Sequence, residues 1–383
     1  MSQYVIQTPK NSIFGIERME PTQKSIAHLP ALTSIRGFAA IWVLVFHLRY
    51  EIQTFFPELY KSTQGIWKSG FLGVDLFFVL SGFVIALNYQ TRFNTIKKPV
   101  FYSFMIKRFA RIYPVYLVCL LCTLLVVLGF VWFGYPYTHM DRFTAWGFVQ
   151  SLTMTQVLSF PIPRQWNLVA WSVSAEWFAY LFFPVIALVA NRVRSNLVRI
   201  LMLIMLCAGY SCVMFMMQRP SAMELGLFRI AGGFSMGVVL CGLKDALPES
   251  WSNRRIWGGV VITVLASIPF FYVLSTNNGV ASVIWAPIIF LPVIFALAQR
   301  GAEWGMMKSS KAIYLGHVSY SLYMIHTTVL MAFRAMFDMN NVTYPLVYIG
   351  VELVLIFAAA HLLYTRLEEP SRRYLLRRML SKS

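Results

Sequence analysis

Ten apolar segments, near 31–48, 71–91, 112–134, 167–190, 197–217, 224–243, 256–275, 281–299, 312–333 and 345–365, dominate the chain of 383 residues. Each approaches the roughly 20 residues that an α-helix needs to cross a hydrocarbon core of about 30 Å. Inside lipid every backbone N–H and C=O must be satisfied within the segment, so runs of this kind fold as helices. The pattern predicts an all-α polytopic membrane protein with about ten transmembrane helices. Its transmembrane domain would span 30–366, between an N-terminal tail of 1–29 and a basic C-terminal tail of 367–383. The N-terminal tail is polar and mixed in charge, with no apolar h-region, so it does not read as a secretory signal. The stretch 143–158 is shorter and more polar than the rest, which suits an interfacial or re-entrant segment.

Charge decides how such a bundle should sit. A formal net charge of +18 invites a nucleic-acid partner, but the basic residues punctuate apolar spans instead of forming one soluble patch. A lipid bilayer, and no nucleic acid, is therefore the expected partner. Alternate loops beginning with the N-terminal tail hold most of the Lys and Arg, including Arg92, Lys97, Lys98, Arg192, Arg194 and the run Arg372, Arg373, Arg377, Arg378. The intervening loops hold only Arg49, Lys61, Lys68, Arg142, Arg164, Arg219 and Arg334. By the positive-inside rule both termini should be cytoplasmic. The five cysteines all fall in apolar segments, and the Cys119–Cys122 spacing stands without a histidine or second pair nearby, so they read as helix packing.

Ionisable residues inside spans are costly and by default mark a pathway or a reactive site. In the first span Arg36 lies near the cytoplasmic end and His47 in the outer third. Eleven helical steps return to within roughly 20° of the same face, about 16 Å further along. Asp75 in GVDLFFVLSGFVI starts the second span at the level expected for His47, where a carboxylate could orient the imidazole. A helix-start charge is the plainer reading of Asp75. Ser81 and Gly82 suggest a close helix contact. Arg108 and Arg111 in KRFARIYP share a face at the cytoplasmic boundary, either as positive-inside anchors or as a clamp for a phosphate-bearing donor. Glu176 in WSVSAEWFAY falls at mid-membrane and needs a partner, with Arg36, Arg111 or Arg229 as candidates. Ser172 and Ser174 weigh less, because serines often bond back to their own helix. Arg229 has Glu224, five residues earlier, as one candidate partner. In HVSYSLYMIH, His326 returns to the depth of His47, with His317, Tyr320 and Tyr323 on earlier turns.

Arginines thus cluster at one level and His47, Asp75 and His326 at another, with Glu176 between. That distribution suits an enzyme or carrier with an anion-accepting inner mouth and an acid–base site facing outward. No H-E-x-x-H, Gly-rich phosphate loop or G-x-S-x-G is present, and the two best histidines lack a third metal ligand, so no metal is expected.

At these same residues the chain resembles the acyltransferase 3 family of integral membrane O-acyltransferases. The likeness rests on Arg36-x10-His47, GVDLFFVLSGFVI, RFARIYP, WSVSAEWFAY, SYSLYMIH and the closing LEEPSRR with Glu369 and Pro370, and it runs from about residue 30 to 375. Val173 stands where leucine is more usual and Lys107 where an arginine often stands. Many members carry an added extracytoplasmic esterase-like domain, and this chain is expected to be a stand-alone member without one.

The resemblance implies a bacterial inner-membrane enzyme with no permanently bound cofactor. It would move an acyl group, usually acetyl, from cytoplasmic acyl-CoA to a hydroxyl of an exported carbohydrate, such as O-antigen or exopolysaccharide. His47 becomes the general base, with Asp75 and Glu176 as catalytic partners. Arg36, Arg108 and Arg111 would meet the CoA phosphates, while Ser81, Ser172, Tyr320 and His326 would support the substrates. Direct transfer through the membrane core is the expected route, with an acyl-enzyme on His47 or a serine as the variant. A transporter or flippase for an anionic or acylated solute is the alternative without chemistry.

Overall fold

The computed structural model describes residues 29–159, 166–217, 225–246, 280–299 and 305–380. The tail 1–28, the predicted span 256–275 and Glu224 lie outside them. Among the described residues the elements are helical throughout. Six stretches of the described residues are long and apolar enough to cross a membrane: Pro30–His47, Pro57–Phe93, Lys98–Trp132, Ala170–Arg192, Asn196–Met217 and Pro345–Met379.

The helices are α1 (Pro30–His47), α2 (Arg49–Phe55), α3 (Pro57–Ser69), α4 (Gly73–Tyr89), α5 (Lys98–Trp132), α6 (Ala145–Leu152), α7 (Ala170–Arg192), α8 (Asn196–Met217), α9 (Gly226–Cys241), α10 (Val280–Leu297), α11 (Ser310–Met336), α12 (Pro345–Leu363) and α13 (Glu369–Leu380). Local chemistry sets several starts. Prolines occupy the first turn of α1, α3, α5 and α12, where the missing N–H is no loss. Thr144 and Ser309 cap α6 and α11 by accepting from Gly147 N and Ala312 N at 3.0 and 3.2 Å.

α5 begins about four turns earlier than the apolar pattern implied. Its 35 residues would reach roughly 52 Å, so it outruns the hydrocarbon core and carries KRFARIYP inside the helix. Pro114 sits within it, and the helix continues past it. The stretch 143–158 forms the short helix α6 and one further turn at Gln156–Leu158, with Met154 at φ 54° between them.

Glycines let particular helix pairs approach closely. A Cβ on Gly316 would sit 2.5 Å from the Thr33 carbonyl carbon, and one on Gly37 would sit 2.9 Å from Gly316 N, so α1 and α11 touch backbone to backbone. A Cβ on Gly82 would lie 2.8 Å from the Phe234 carbonyl carbon, and one on Gly237 2.7 Å from Phe83 N. The α4–α9 crossing is therefore equally tight, which is the use small residues have in membrane interfaces.

Side-chain pairs fix the directions. Thr123–Thr328 and Tyr320–Ile112 contacts set α5 and α11 running the same way. Phe78–Trp171 and Ser81–Glu176 do the same for α4 and α7. Phe104–Phe183 and Phe109–Trp177 run in opposed order, so α5 and α7 are antiparallel. α11 and α12 are likewise antiparallel, through Tyr314–His361 and Phe333–Tyr348. α8 buries only Tyr210 and Met214, which places it on the rim.

Candidate active site

The close contact of α1 and α11 places the two histidines. Gly37 meets Gly316, and ten residues on, about 15 Å along each of two parallel helices, His47 meets His326. Their rings lie 4.9 Å apart. His47 Nδ1 is 2.9 Å from the Val43 carbonyl oxygen, which can only accept, so Nδ1 carries the proton. His326 Nδ1 likewise donates to the Leu322 carbonyl at 3.2 Å, leaving its Nε2 as an acceptor 3.2 Å from His47 Nδ1. Both bonds thus fall on one N–H of His47, and its Nε2 keeps a lone pair. His47 faces a cavity of about 840 Å³.

The end of α1 is held by a second device. Arg334 Nη2 donates to the His47 carbonyl at 2.8 Å and to Glu51 Oε2 at 2.9 Å, while its Nε pairs with Glu51 Oε1. A cation on the last carbonyl of a helix also suits the helix dipole. Glu51 is fully buried. Neither residue stood out in the sequence, since both fall just outside the apolar runs, Glu51 in α2 and Arg334 in the last turn of α11.

Asp75 does not serve the role expected beside His47. The chain reaches the level of His47 at Gly70, whose Cβ would meet Phe46 Cβ at 2.8 Å. α4 then runs antiparallel to α1, so Gly73 already faces Ala39 and Val43 and Asp75 lies deeper still. There it forms a buried two-point ion pair with Arg229, Nε to Oδ1 at 3.0 Å and Nη2 to Oδ2 at 2.6 Å. The guanidinium lies 5.3 Å from the Trp171 ring. His326, not a carboxylate, takes the orienting place at His47.

A second cavity of about 850 Å³ opens toward the Arg36 end of α1, lined by Arg36, Arg108, Arg111, Glu176, Tyr180 and Tyr320 among others. Arg36 makes no hydrogen bond or ion pair among the described residues. Arg108 donates to Tyr89 Oη at 3.1 Å, and its buried Nε has no partner there. Arg111 is paired with Glu368, a buried carboxylate that also accepts from Ser321 Oγ at 2.5 Å. Glu368 belongs to a π-helical turn, Tyr364–Glu368, a geometry that often marks functional positions. In LEEPSRR the buried acid is thus Glu368, whereas Glu369 pairs locally with Arg372 at 3.2 Å.

Glu176 Oε1 accepts from both Ser81 Oγ and Tyr180 Oη at 2.5 Å. Of its three candidate partners, Arg36 and Arg111 share its cavity and Arg229 is committed to Asp75. Tyr320 donates to the Ile112 carbonyl at 2.8 Å.

Tyr323 links the arginine cavity to the histidine pair. Tyr323 and Phe77 both line the arginine cavity, their rings 5.8 Å apart, and the Tyr323 ring is 6.0 Å from that of His326. Ser172 Oγ lies 2.6 Å from Tyr323 Oη and fixes that ring. Among the described residues no three His, Cys, Asp or Glu side chains gather as metal ligands. The arrangement offers cations in one cavity and an oriented imidazole in the other.

Residues 29–364 match the family described as an acyltransferase domain. Over 164 residues the chain is 33% identical to acyltransferase MdmB of Streptomyces mycarofaciens, a match that takes in 42% of this chain and 39% of that protein. Over 377 residues it is 25% identical to the O-acetyltransferase OatA of Staphylococcus aureus, taking in 90% of this chain and 57% of OatA. The chain thus spans well under two thirds of either relative. No solved structure matches it.

Proposed function

Since the chain belongs to the acyltransferase family that matches residues 29–364, we propose that it is an integral membrane O-acetyltransferase of the bacterial inner membrane. It would carry an acetyl group from cytoplasmic acetyl-CoA to a hydroxyl of an exported or cell-surface carbohydrate. The observation that carries this reading is that one helix presents an arginine, unpaired among the described residues, to one cavity and an oriented histidine to another. CoA is too highly charged to cross the bilayer, whereas its pantetheine arm is slender and nearly neutral. Arg36, Arg108 and Arg111 suit the donor's phosphates, because guanidinium forks bind phosphate oxygens at two points. Glu176, held by Ser81 and Tyr180, lines the same cavity.

His47 Nε2 then acts as the general base. It accepts the proton of the acceptor hydroxyl as that oxygen attacks the thioester carbonyl. His326 Nε2 accepts from His47 Nδ1–H and so steadies the imidazolium formed. Collapse of the tetrahedral species breaks the carbon–sulfur bond, and the proton on His47 passes to the departing thiolate, giving free CoA and the ester. Tyr323, which lines the donor cavity and packs against His326, is the side chain placed for the thioester to pass on its way to His47.

The test supplies sealed membranes with radiolabelled acetyl-CoA and follows both products. Label on saccharide, matched mole for mole by free CoA, is the expected result. Uptake of label without release of CoA would make the protein a transporter and end this reading.

A further inference from the structure

The His47 cavity carries a charge that the transfer reaction does not require. The connection between α5 and α6 forms one wall. Tyr137 stacks on Phe130 with ring centroids 5.1 Å apart, and Phe143 packs against Trp166 at 5.4 Å. Trp166 Nε1 donates to the Thr144 carbonyl at 2.8 Å, tying this wall to the start of α7. Two arginines reach the same cavity, Arg334 and Arg142. Arg334 is neutralised by Glu51. Arg142 sits in the short turn Met140–Arg142, partly buried, and makes no ion pair among the described residues. Burial pushes the Tyr137 hydroxyl above its ordinary value, and Arg142 and Arg334 pull against that rise, so both cations act on this wall.

Resting on the acyltransferase reading above, we propose that Arg142 selects an acceptor saccharide bearing an anionic group, a carboxylate or a phosphate. Flat aromatic faces suit the apolar face of a sugar ring and leave its hydroxyls free toward His47. A neutral sugar would need nothing more from this wall. A guanidinium held at a cavity wall without a counter-ion gains most when an anion arrives, because a charge-assisted bond is roughly twice as strong as a neutral one. A bilayer phosphate could occupy an arginine at this level too. Against that, Arg142 lines the cavity of the base together with Phe143 and Trp166.

Membranes holding the full chain are given radiolabelled acetyl-CoA with delipidated envelope saccharides of the organism that carries the gene, and the products are resolved by anion exchange. Label is expected in the retained fraction. Its move to the unretained fraction after phosphatase identifies a phosphate, and after reduction of carboxyl groups a carboxylate. Arg142→Ala should raise KM for that acceptor about tenfold or more with kcat little changed, and Arg142→Lys should recover part of the loss. Thermal unfolding of each variant reports whether it is folded. Label in the unretained fraction before any treatment overturns the proposal. So does an Arg142→Ala enzyme with unchanged KM, which would leave the arginine a lipid contact. Absence of both label and CoA release in the wild type strikes the acyltransferase reading instead, so the two failures are distinguishable.

Discussion

Gly316→Ala should disable the proposed acetyl transfer from about 15 Å away, because the register of α1 against α11 is what brings the two histidines together. The added Cβ would lie 2.5 Å from the Thr33 carbonyl carbon and 2.9 Å from Thr33 Cγ2. Ordinary carbon–carbon contact is about 3.5–4 Å. The backbones must therefore part by roughly 1 Å or rotate by an equivalent amount. The His47–His326 contact at 3.2 Å has no such slack before it ceases to be a hydrogen bond. A misplacement of about 1 Å at reacting groups lowers rates about a hundredfold, and overpacking of this kind destabilises by about 1–3 kcal/mol. The assay is kcat for acetyl transfer on purified, folded protein, with the thermal midpoint measured alongside. Gly350→Ala is the control, since a Cβ there meets nothing within 4 Å. A Gly316→Ala enzyme with wild-type kcat would refute the view that this close contact positions the base.

Four other outcomes follow from the same geometry. Asp75→Asn should destabilise by about 3–5 kcal/mol by taking the charged carboxylate out of its buried two-point pair with Arg229, while the double change Asp75→Leu, Arg229→Met should regain most of that in a denaturation series. A double variant as unstable as the single would show that the pair is not the reason for the loss. Arg36→Gln should raise KM for acetyl-CoA roughly tenfold to a hundredfold, the equivalent of about 1.5–3 kcal/mol for a hydrogen bond to a charged group, with kcat changed less. An unaltered KM would remove Arg36 from the donor site. His326→Ala should lower kcat by about tenfold, because His47 Nδ1–H keeps the Val43 carbonyl and loses its second acceptor. Glu368→Gln should loosen Arg111 and be read as a lowered thermal midpoint of about the size expected for breaking a buried pair, again about 3–5 kcal/mol.

The helical class and most of the spans were legible because lipid tolerates few alternatives to a run of about twenty apolar residues. The alternation of direction was legible too, and the antiparallel contacts of α1 with α4 and of α5 with α7 fit it. The partner of Asp75 was not. Depth read from a predicted span start is uncertain by about a turn. The connection α3 and the turn at Gly70–Leu72 move α4 inward by about that much. The meeting of His47 and His326 depends on two glycines ten residues upstream of each, and only a structure shows that Gly37 and Gly316 face one another. Glu368 and the pair Glu51–Arg334 escaped notice for a different reason. They lie just outside the apolar runs, Arg334 in the last turn of α11, Glu51 in α2 and Glu368 in the turn after α12, where a buried charge looks like any exposed one.

In the proposed reaction His47 Nε2 takes the acceptor's proton. This step is tested most directly by transfer of label from acetyl-CoA to saccharide by His47→Gln, in membranes where the variant is present in wild-type amount with an unchanged thermal midpoint. General-base catalysis contributes about 10²–10⁴-fold, so transfer should fall by at least about a hundredfold while KM for acetyl-CoA stays within about twofold. A His47→Gln protein that acetylates saccharide at the wild-type rate would rule out His47 as the base.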